Sequence, residues 1–363
     1  MEPVEIDIGM AAIAPMEAGL RRVRALRGSA AGFDRAVWRQ IAGFGWLGLR
    51  LAESTGGAGL PPRALRTLAE ALGERLLPEP VIAASLAARL LPEPRRAPVL
   101  AGAHVVLPAW REAPGAVEWP AVDWPAVDPG EGTVLRDGRL FGRKRDVAQA
   151  RGADAFLVLL ADGLALVMAD APGLRVEAEA TPDGRHHAAL VFDGTPAERL
   201  AGEIAAEEIG AALDEVLLAE CAYLLGLAER AFALARPAAA GRSGSPPPFG
   251  PLISAADPSD PRFGIMRRDL DLTRSVIDGA ADRLGRAIDP TQRAGIVSRA
   301  ALRSASMAIA VTRAAAQLHG GLGLTERSDI GLHFLAAQAL APRLGSQGAH
   351  RARVARAAAA AAE

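Results

Sequence analysis

Hydrophobic residues recur every three or four positions in the first hundred residues and again after about residue 205, which is the spacing of one face of an α-helix. The first block predicts three helices, the third of them over residues 81–91. The last block predicts four long helices and a shorter C-terminal one over residues 349–363. The apolar positions in this block are Leu213, Val216, Leu217, Leu224, Leu227, Ala231 and Ala235, then Leu270, Ile277, Leu284 and Ile288, then Leu302, Ala305, Ile309, Thr312 and Ala316, and finally residues 334–344.

Short apolar runs bounded by turn residues replace this pattern between residues 102 and 200. Asp137-Gly138 and Ala161-Asp162-Gly163 each separate two such runs, as in β-hairpins, and residues 188–192 form a further predicted strand. The sequence therefore predicts an α+β, mostly α, fold. Its domains are an N-terminal helical domain (1–101), a middle antiparallel β domain (102–200) and a C-terminal four-helix bundle domain (201–363).

Composition narrows the possible partners and location of this 363-residue chain. A formal net charge of −1 argues against a nucleic-acid partner, which requires a basic surface. Cys221 is the only cysteine, which suits a reducing compartment. The start, MEPVEIDIGM, lacks the apolar core of a secretory signal, and no uncharged apolar run reaches membrane-spanning length. A cytoplasmic protein without membrane insertion is expected.

Three glycines interrupt the third predicted helix of the last block, in residues 317–325, which we call the glycine loop. Gly320, Gly321 and Gly323 permit a sharp turn and the close approach of another molecule. Taken alone, the loop has two interpretations. It is a helix C-cap and turn, or it offers backbone N–H groups to an anion such as a pyrophosphate.

The order of helices, strands and helices, together with several local stretches, resembles the acyl-CoA dehydrogenase family. The resemblance spans nearly the whole chain, although each stretch alone is weakly specific. The stretches are WRQIAGFGWLGL and ESTGGAGL (38–49 and 53–60), LFGRKRDV with AD (140–147 and 153–154), GLAERA and FGPLI (226–231 and 249–253), and the glycine loop.

The resemblance implies that FAD lies between the β domain and the C-terminal helices, across a subunit contact. The glycine loop of one subunit would meet the ADP half of a neighbour's FAD. The implied cofactor-binding residues are Arg242, Phe249, Gln317, Gly320, Gly321, Gly323 and Thr325. Arg242 would supply a cationic fork for phosphate, although on sequence alone it is equally well a solvated charge in a loop.

The family's reaction is the α,β-desaturation of an acyl-CoA thioester. A carboxylate removes the α proton and the flavin takes the β hydride, and the base works best in a dry pocket that raises its pKa. In many members this carboxylate follows the glycine loop before a Gly-Thr pair. Here Leu344 stands in that place, and leucine cannot accept a proton.

Another branch of the family carries the base on the first helix of the C-terminal block. That helix offers Glu215, beside the small residues Ala219, Ala222 and Gly226 that could admit a ligand, and Glu220, which falls on the apolar stripe. Both remain candidates for the catalytic base. The alternatives are a solvated Glu215, a buried structural Glu220, and a chain that supplies no base.

Other departures affect the flavin side and leave the function open. The Trp and Thr that cover the flavin in the family give way to Arg145-Asp146-Val147, and His186-His187 fall in a turn, where we expect exposed side chains rather than a metal site.

Three hypotheses follow. The chain is a working dehydrogenase, a subunit that pairs with a catalytic paralogue for bulky or steroid-derived CoA esters, or a member with altered chemistry. The implied partners are acyl-CoA, an electron-transfer flavoprotein or similar acceptor, and further subunits in a homo- or hetero-oligomer.

Overall fold

The N-terminal region is helical in the computed structural model, which describes residues 20–113, 116, 132–200, 205–235 and 260–362. Asp34 caps α2 by accepting a hydrogen bond from the Ala36 N–H, and the predicted helix over residues 81–91 is confirmed as α4. The helices are α1 (Leu20–Leu26), α2 (Arg35–Gly43), α3 (Pro62–Glu74), α4 (Val81–Leu90) and α5 (Ala97–Leu100).

Two four-stranded sheets follow, ordered β1-β4-β5-β8 and β2-β3-β7-β6. Both predicted hairpins are confirmed, and Asp137 and Gly138 take the positive φ angles, 47° and 72°, of a tight two-residue turn. The strands are β1 (Val106–Ala109), β2 (Val134–Arg136), β3 (Arg139–Ala148), β4 (Ala155–Leu160), β5 (Gly163–Met168), β6 (Leu174–Ala180), β7 (His186–Pro196) and β8 (Glu198–Arg199).

One strand pair departs from the antiparallel expectation. β1 and β4 pair in parallel, with Val106 opposite Ala155. Between them the chain crosses to the other sheet to form β2 and β3, and such a crossover is what a parallel pair requires. β6, which the sequence did not reveal, is a half-exposed strand that pairs with β7.

The remaining chain forms the predicted helical bundle. Asp260 and Asp289 cap α7 and α8, and each is followed by a proline in the first helical turn. The predicted helix over residues 334–344 begins earlier, at Asp329, and a 3₁₀-helix containing Pro342 replaces its end. The elements are α6 (Ala206–Ala235), α7 (Pro261–Leu284), α8 (Pro290–Leu318), α9 (Asp329–Leu340) and α10 (Gln347–Ala360), with 3₁₀-helices at Gly320–Leu324 and Ala341–Leu344.

The fold class is thus as predicted. The predicted loop over residues 237–261 lies almost entirely outside the described residues. Among the helices that are described, α8 alone is long and apolar enough to span a membrane by length and composition, and 56% of its apolar window is buried inside the protein. That burial is typical of a bundle's core helix.

Candidate active site

Two glycines bring α3 and α6 into backbone contact beside the candidate site. A Cβ on Gly73 would lie 2.0 Å from the Tyr223 carbonyl oxygen, and one on Gly226 would lie 1.9 Å from that of Glu70. The small-residue face of α6 therefore packs within the protein. The expectation that Gly226 and its neighbours admit a ligand is wrong, because α3 occupies that space.

A cavity of about 180 Å³ lies between α3, α4, α6, the end of β1 and the 3₁₀-helix Ala341–Leu344. Most of its wall is apolar. The leucine, isoleucine and valine side chains in the wall are Leu72, Leu77, Val81, Ile82, Leu86, Leu213, Val216, Leu217, Leu224, Leu340 and Leu344. Charged residues line it as well, including Glu220, Arg111, Asp146 and Arg343. Its shape and lining are those of a small-molecule site.

Glu220 is the candidate base that the structure places in the cavity wall. Burial raises the pKa of its carboxyl above the ordinary value, and the nearby positive charges of Arg111 and Arg343 offset only part of this shift. A carboxyl group with a raised pKa in a mostly apolar cavity has the properties of a general base. The stripe of apolar positions on α6 had predicted this inward direction.

Glu215 is held in a different environment. Its carboxylate accepts hydrogen bonds from Arg50 Nε at 2.7 Å and Arg50 Nη2 at 3.0 Å, and Arg89 Nη1 lies 3.0 Å away. Burial alone would raise the pKa of Glu215, but the hydrogen bond from Arg50 and the charge of Arg89 outweigh it and lower the pKa. Glu215 is neither solvated nor poised to accept a proton, because two arginines stabilise its ionised form.

Replacing Glu215 with glutamine is expected to destabilise the fold by about 2 kcal/mol at pH 7, because two partly buried guanidinium groups lose a buried, charged acceptor. The sign follows from the lowered pKa. The stabilisation is present above the unfolded-state pKa of about 4.3 and is lost as the pH falls through the folded-state value. Urea unfolding of both proteins from pH 7 to pH 3 should therefore give curves that converge in acid.

Glu198→Gln is the matched control, because Glu198 forms an exposed ion pair with Arg95. We expect a change within about 0.5 kcal/mol at every pH. Equal effects of the two substitutions would contradict the role assigned to the Arg50–Glu215–Arg89 cluster.

Leu344, at the position of the family's usual base, is buried in the cavity wall. His350 on α10 holds this segment in place, since its Nε2 lies 3.0 Å from the Leu344 carbonyl oxygen and its Nδ1 lies 3.1 Å from Ser298 Oγ. The segment is therefore well packed but carries no proton acceptor.

A bridge of charged residues joins the β sheets to the helical bundle beside the cavity. Arg111 Nη2 donates to the carbonyl oxygen of Arg343 at 2.8 Å. Asp146 lies between the two guanidinium groups, 3.8 Å from Arg111 Nη1 and 3.6 Å from Arg343 Nη1. We call Arg111, Asp146 and Arg343 the arginine bridge. It spans the boundary where the family resemblance predicts the flavin ring.

The backbone of β3 directs Asp146 into this bridge. Asp146 adopts φ 58°, in the left-handed region that few non-glycine residues occupy, and the pairing of β3 with β7 is irregular between Lys144 and Val147. Such a bulge re-aims a side chain that regular alternation would point elsewhere. The sequence showed only that Asp146 replaces a flavin-covering residue, and not which residues it meets.

The expectation of exposed turn histidines is wrong. His186 is buried at the start of β7, where its Nε2 accepts a hydrogen bond from the Arg151 N–H at 3.1 Å. His187 lines the cavity, where burial lowers its pKa to about 2 and the charge of Arg343 acts in the same direction. Both histidines begin β7, where His186 meets the Arg151 backbone and His187 faces the cavity.

The glycine loop divides into residues that its own fold requires and one that it does not. Gly320 has φ 70°, and a Cβ on Gly323 would lie 2.3 Å from the Ala316 carbonyl oxygen, so both positions need glycine locally. A Cβ on exposed Gly321 would meet no atom within 4 Å, and its φ is not in the left-handed region. The C-cap interpretation therefore explains two glycines and leaves Gly321 as bare backbone facing solvent.

The surroundings of Gly321 suit an external contact. Gln317 is exposed on the last turn of α8, and Leu322 and Leu324 are 51% and 53% exposed. Thr325 Oγ1 donates to the Leu322 carbonyl oxygen at 2.9 Å and closes the loop. Arg242 and Phe249, the other predicted cofactor residues, lie outside the described residues. Exposed amide, bare backbone and apolar side chains together form a surface that a second molecule can cover.

The two halves of the expected cofactor surface thus differ in their fit to FAD. The glycine loop has room at Gly321 for a pyrophosphate to approach the backbone. The arginine bridge lies at the boundary between the β domain and the helical bundle, which we call the seam. It places three charged side chains there in place of an apolar pocket. The loop fits the ADP half of a dinucleotide, whereas the seam does not fit an uncharged aromatic ring.

Comparison with known proteins gives a consistent picture. Residues 209–359 match the sequence model of the acyl-CoA dehydrogenase C-terminal domain. The comparison with curated protein sequences found no match. Among solved structures, a variant of the Tcur3481-Tcur3483 steroid ACAD is similar, with 26% sequence identity, a TM-score of 0.76, and coverage of 96% of this chain and 95% of that one.

Two further structures share the fold. The ChsE4-ChsE5 complex from Mycobacterium tuberculosis has a TM-score of 0.77 at 24% identity, and the similarity covers 96% of this chain and 94% of that chain. A glutaryl-CoA dehydrogenase from Mycobacterium smegmatis in complex with FADH2 has a TM-score of 0.78 at 18% identity, with coverage of 99% and 95%. The fold match therefore extends over nearly the whole chain.

Proposed function

Because the chain belongs to the acyl-CoA dehydrogenase family, we propose that it is the companion subunit of a heteromeric FAD-dependent acyl-CoA dehydrogenase. In this role its glycine loop contacts a FAD whose flavin ring is bound by a catalytic paralogue. The paralogue supplies the base that removes the α proton of the acyl-CoA. When bound, FAD would supply the acceptor for the β hydride, and the proposed partner for its electrons is an electron-transfer flavoprotein or similar acceptor.

The arginine bridge is the observation that carries this proposal. Two guanidinium groups and a carboxylate occupy the seam in which the family places the flavin ring, and they join the two sides of that seam. A flavin ring entering here would have to separate the buried Arg111 from the partly buried Asp146 and Arg343, which is costly where water cannot fully solvate the separated charges. The residues present therefore disfavour a ring held by this chain alone.

The state of the candidate bases supports the same role. Leu344 cannot accept a proton, and two arginines form ion pairs with Glu215 and stabilise its ionised form. The glycine loop, by contrast, retains a feature that serves only an external molecule, since Gly321 has no local requirement for glycine. A chain that keeps the glycine loop but lacks the rest of the cofactor site has the features expected of a companion subunit.

The similar structures are compatible with such an assembly. The Tcur3481-Tcur3483 steroid ACAD and the ChsE4-ChsE5 complex are each named for two chains. By analogy we propose a hetero-oligomer, with a bulky or steroid-derived CoA ester as the class of substrate. The exposed Leu322 and Leu324 lie beside Gly321, where the paralogue would pack.

A second candidate function is a self-sufficient dehydrogenase with Glu220 as base. It is favoured by the position of Glu220 in the cavity wall and by the burial that raises the pKa of its carboxyl. This function requires the arginine bridge to open so that a flavin ring can enter.

The visible spectrum of the purified chain distinguishes the two functions. Expressed alone, incubated with FAD and separated from unbound FAD by gel filtration, the chain should be colourless near 450 nm and should not desaturate an acyl-CoA. Co-expressed with acyl-CoA dehydrogenase paralogues of its source, it should copurify with one of them as a yellow, active complex. A yellow chain whose flavin is bleached by acyl-CoA, and which loses this reaction on Glu220→Gln, would establish the second function instead.

The Gly321→Ala substitution tests the shared loop within that complex. Alanine fits this position without local strain, so the fold and assembly should persist, while the bound flavin per complex should fall several-fold because the added methyl group blocks the ligand's approach. Gly264→Ala is the matched control, because this residue lies on α7 and a Cβ there also meets no atom within 4 Å. Unchanged flavin content in the Gly321 variant would remove the loop from the cofactor site.

A further inference from the structure

We propose that the cavity beside Glu220 is a binding site for a short free carboxylic acid, whose carboxylate accepts hydrogen bonds from Arg111 Nε and Arg343 Nη1 and whose alkyl chain contacts the apolar wall. This site does not depend on the companion role, because it uses neither the glycine loop nor a flavin. In this cavity Leu344 stands where the family usually has its base, and the proposal assigns the cavity a ligand.

Unsatisfied hydrogen-bond donors are the first observation behind this inference. Arg111 is 8% exposed and lines the cavity, and its Nε has no acceptor among the described residues. Arg343 Nη1 is likewise buried without a hydrogen-bond acceptor in the described part of the chain, since Asp146 is 3.6 Å away. Buried donors of this kind normally have partners, and a ligand carboxylate supplies two acceptor oxygens, one for each of these two donors.

The charges around the cavity leave a positive surplus at this pair. Three other charged lining residues are already matched: Glu79 by Arg22 at 2.5 Å, Arg185 by Asp183 at 3.3 Å, and Asp214 by Arg293 at 3.0 Å and Arg353 at 2.5 Å. Four groups remain near the proposed carboxylate, namely Arg111, Arg343, Asp146 and Glu220.

The two acids do not cancel the two arginines. Asp146 balances one positive charge at ion-pair distance. Within the described residues Glu220 forms no ion pair with either arginine, whose ion-pair partner is Asp146. Burial raises the pKa of the Glu220 carboxyl, and this carboxyl, when protonated, can donate a hydrogen bond to a ligand carboxylate. Burial also lowers the pKa of Arg343 to about 10, and the charge of Arg111 acts in the same direction, so a bound anion would relieve this repulsion.

Cavity size limits the length of the acid. The volume of about 180 Å³ is slightly larger than the roughly 150 Å³ apolar cavity that accommodates benzene, so about eight non-hydrogen atoms fit. Leucine and valine side chains from α3, α4 and α6 surround this space. A monocarboxylic acid of about six carbons, such as hexanoate, matches both the apolar wall and the guanidinium pair.

Isothermal titration calorimetry of the full chain with hexanoate, hexan-1-ol and hexanamide tests the proposal. Hexanoate should bind with one-to-one stoichiometry and a Kd on the order of 1 mM or tighter, which is reasonable for a ligand of this size. It should bind at least tenfold more tightly than the alcohol or the amide, which share its chain but carry no charge. Equal binding of all three, or no binding of hexanoate, would overturn the proposal.

Substitutions locate the carboxylate. Arg343→Gln should weaken hexanoate at least tenfold and leave hexan-1-ol unchanged, while Arg136→Gln, on the exposed strand β2, should change neither. Thermal melting verifies that each variant folds. An Arg343→Gln protein that folds and binds hexanoate normally would contradict the site. If that variant fails to fold, the comparison of hexanoate with hexan-1-ol on the unmodified chain decides the matter.

Competition with hexanoyl-CoA distinguishes the two sources of a six-carbon chain. A thioester carbonyl is uncharged and cannot pair with two guanidinium groups as a carboxylate does. Hexanoyl-CoA should therefore displace hexanoate at least tenfold less effectively than unlabelled hexanoate does. Displacement with equal affinity would mean that the cavity recognises the acyl chain alone, and the proposed carboxylate site would be wrong.

Discussion

Replacing Gly226 with alanine is expected to destabilise the protein by about 3 kcal/mol, because the added methyl group must force apart two packed helices. Its Cβ would lie 1.9 Å from the Glu70 carbonyl oxygen and 3.1 Å from the Glu74 nitrogen, and neither backbone atom can rotate away. Gly73 makes the reciprocal contact with Tyr223. Urea unfolding followed by far-UV circular dichroism measures the loss.

The control for this change is Gly279→Ala on α7. Gly279 is an exposed helical glycine whose Cβ would meet no atom within 4 Å, so alanine there should stabilise the protein by about 0.5–1 kcal/mol. Opposite signs at the two positions are the expected result. Stabilisation by Gly226→Ala would mean that α3 and α6 do not touch as described.

This contact has a functional consequence as well as a structural one. Leu72 on α3 and Leu217, Glu220 and Leu224 on α6 all line the cavity. The spacing of the two helices, which Gly73 and Gly226 set, therefore also sets the width of the candidate site. A variant that folds with the helices displaced should bind cavity ligands more weakly even where no lining residue has changed.

Replacing Asp214 with alanine is the second large change that we expect, a loss of about 3–5 kcal/mol. Asp214 accepts hydrogen bonds from Arg293 Nε at 3.0 Å and Arg353 Nη2 at 2.5 Å, and all three side chains are less than 10% exposed. Removal of the carboxylate leaves two buried guanidinium groups facing each other. The same group of residues connects α6, α8 and α10, so its loss should loosen the bundle.

The control for Asp214 is Asp162→Ala, which removes a carboxylate 71% exposed in its ion pair with Arg199. Its effect on the free energy of unfolding should stay within about 0.5 kcal/mol. Thermal unfolding at constant pH compares the two variants directly. A loss below about 1 kcal/mol for Asp214→Ala would show that water or other groups solvate the two arginines.

The two candidate bases were not equally predictable from the sequence. Glu220 lay on the apolar stripe of α6, and helical periodicity was enough to predict that it points inward. Glu215 lay outside that stripe, and nothing local indicated that Arg50, in a turn, and Arg89, on α4, both more than a hundred residues earlier, would enclose it. Contacts between distant segments depend on how the elements pack, which periodicity does not encode.

The glycine loop shows the same division within a few residues. Its composition predicted a turn after a helix, and the structure has one, but composition could not distinguish the three glycines from one another. Only the folded loop distinguishes Gly323, where a Cβ would collide with Ala316, from Gly321, where a Cβ would meet no atom within 4 Å. That difference, rather than the number of glycines, is the argument for an external ligand.

By itself the sequence determined the helix–strand–helix order, the hairpins at Asp137-Gly138 and Ala161-Asp162, the inward direction of Glu220 and the absence of a base at Leu344. These features follow from local periodicity, turn chemistry and residue identity. The tertiary structure alone decided that Arg111, Asp146 and Arg343 meet, because a parallel crossover and a bulge in β3 bring residues more than two hundred positions apart into one seam. The sequence identifies which side chains are charged, but the packing of the elements decides which partner each charge meets.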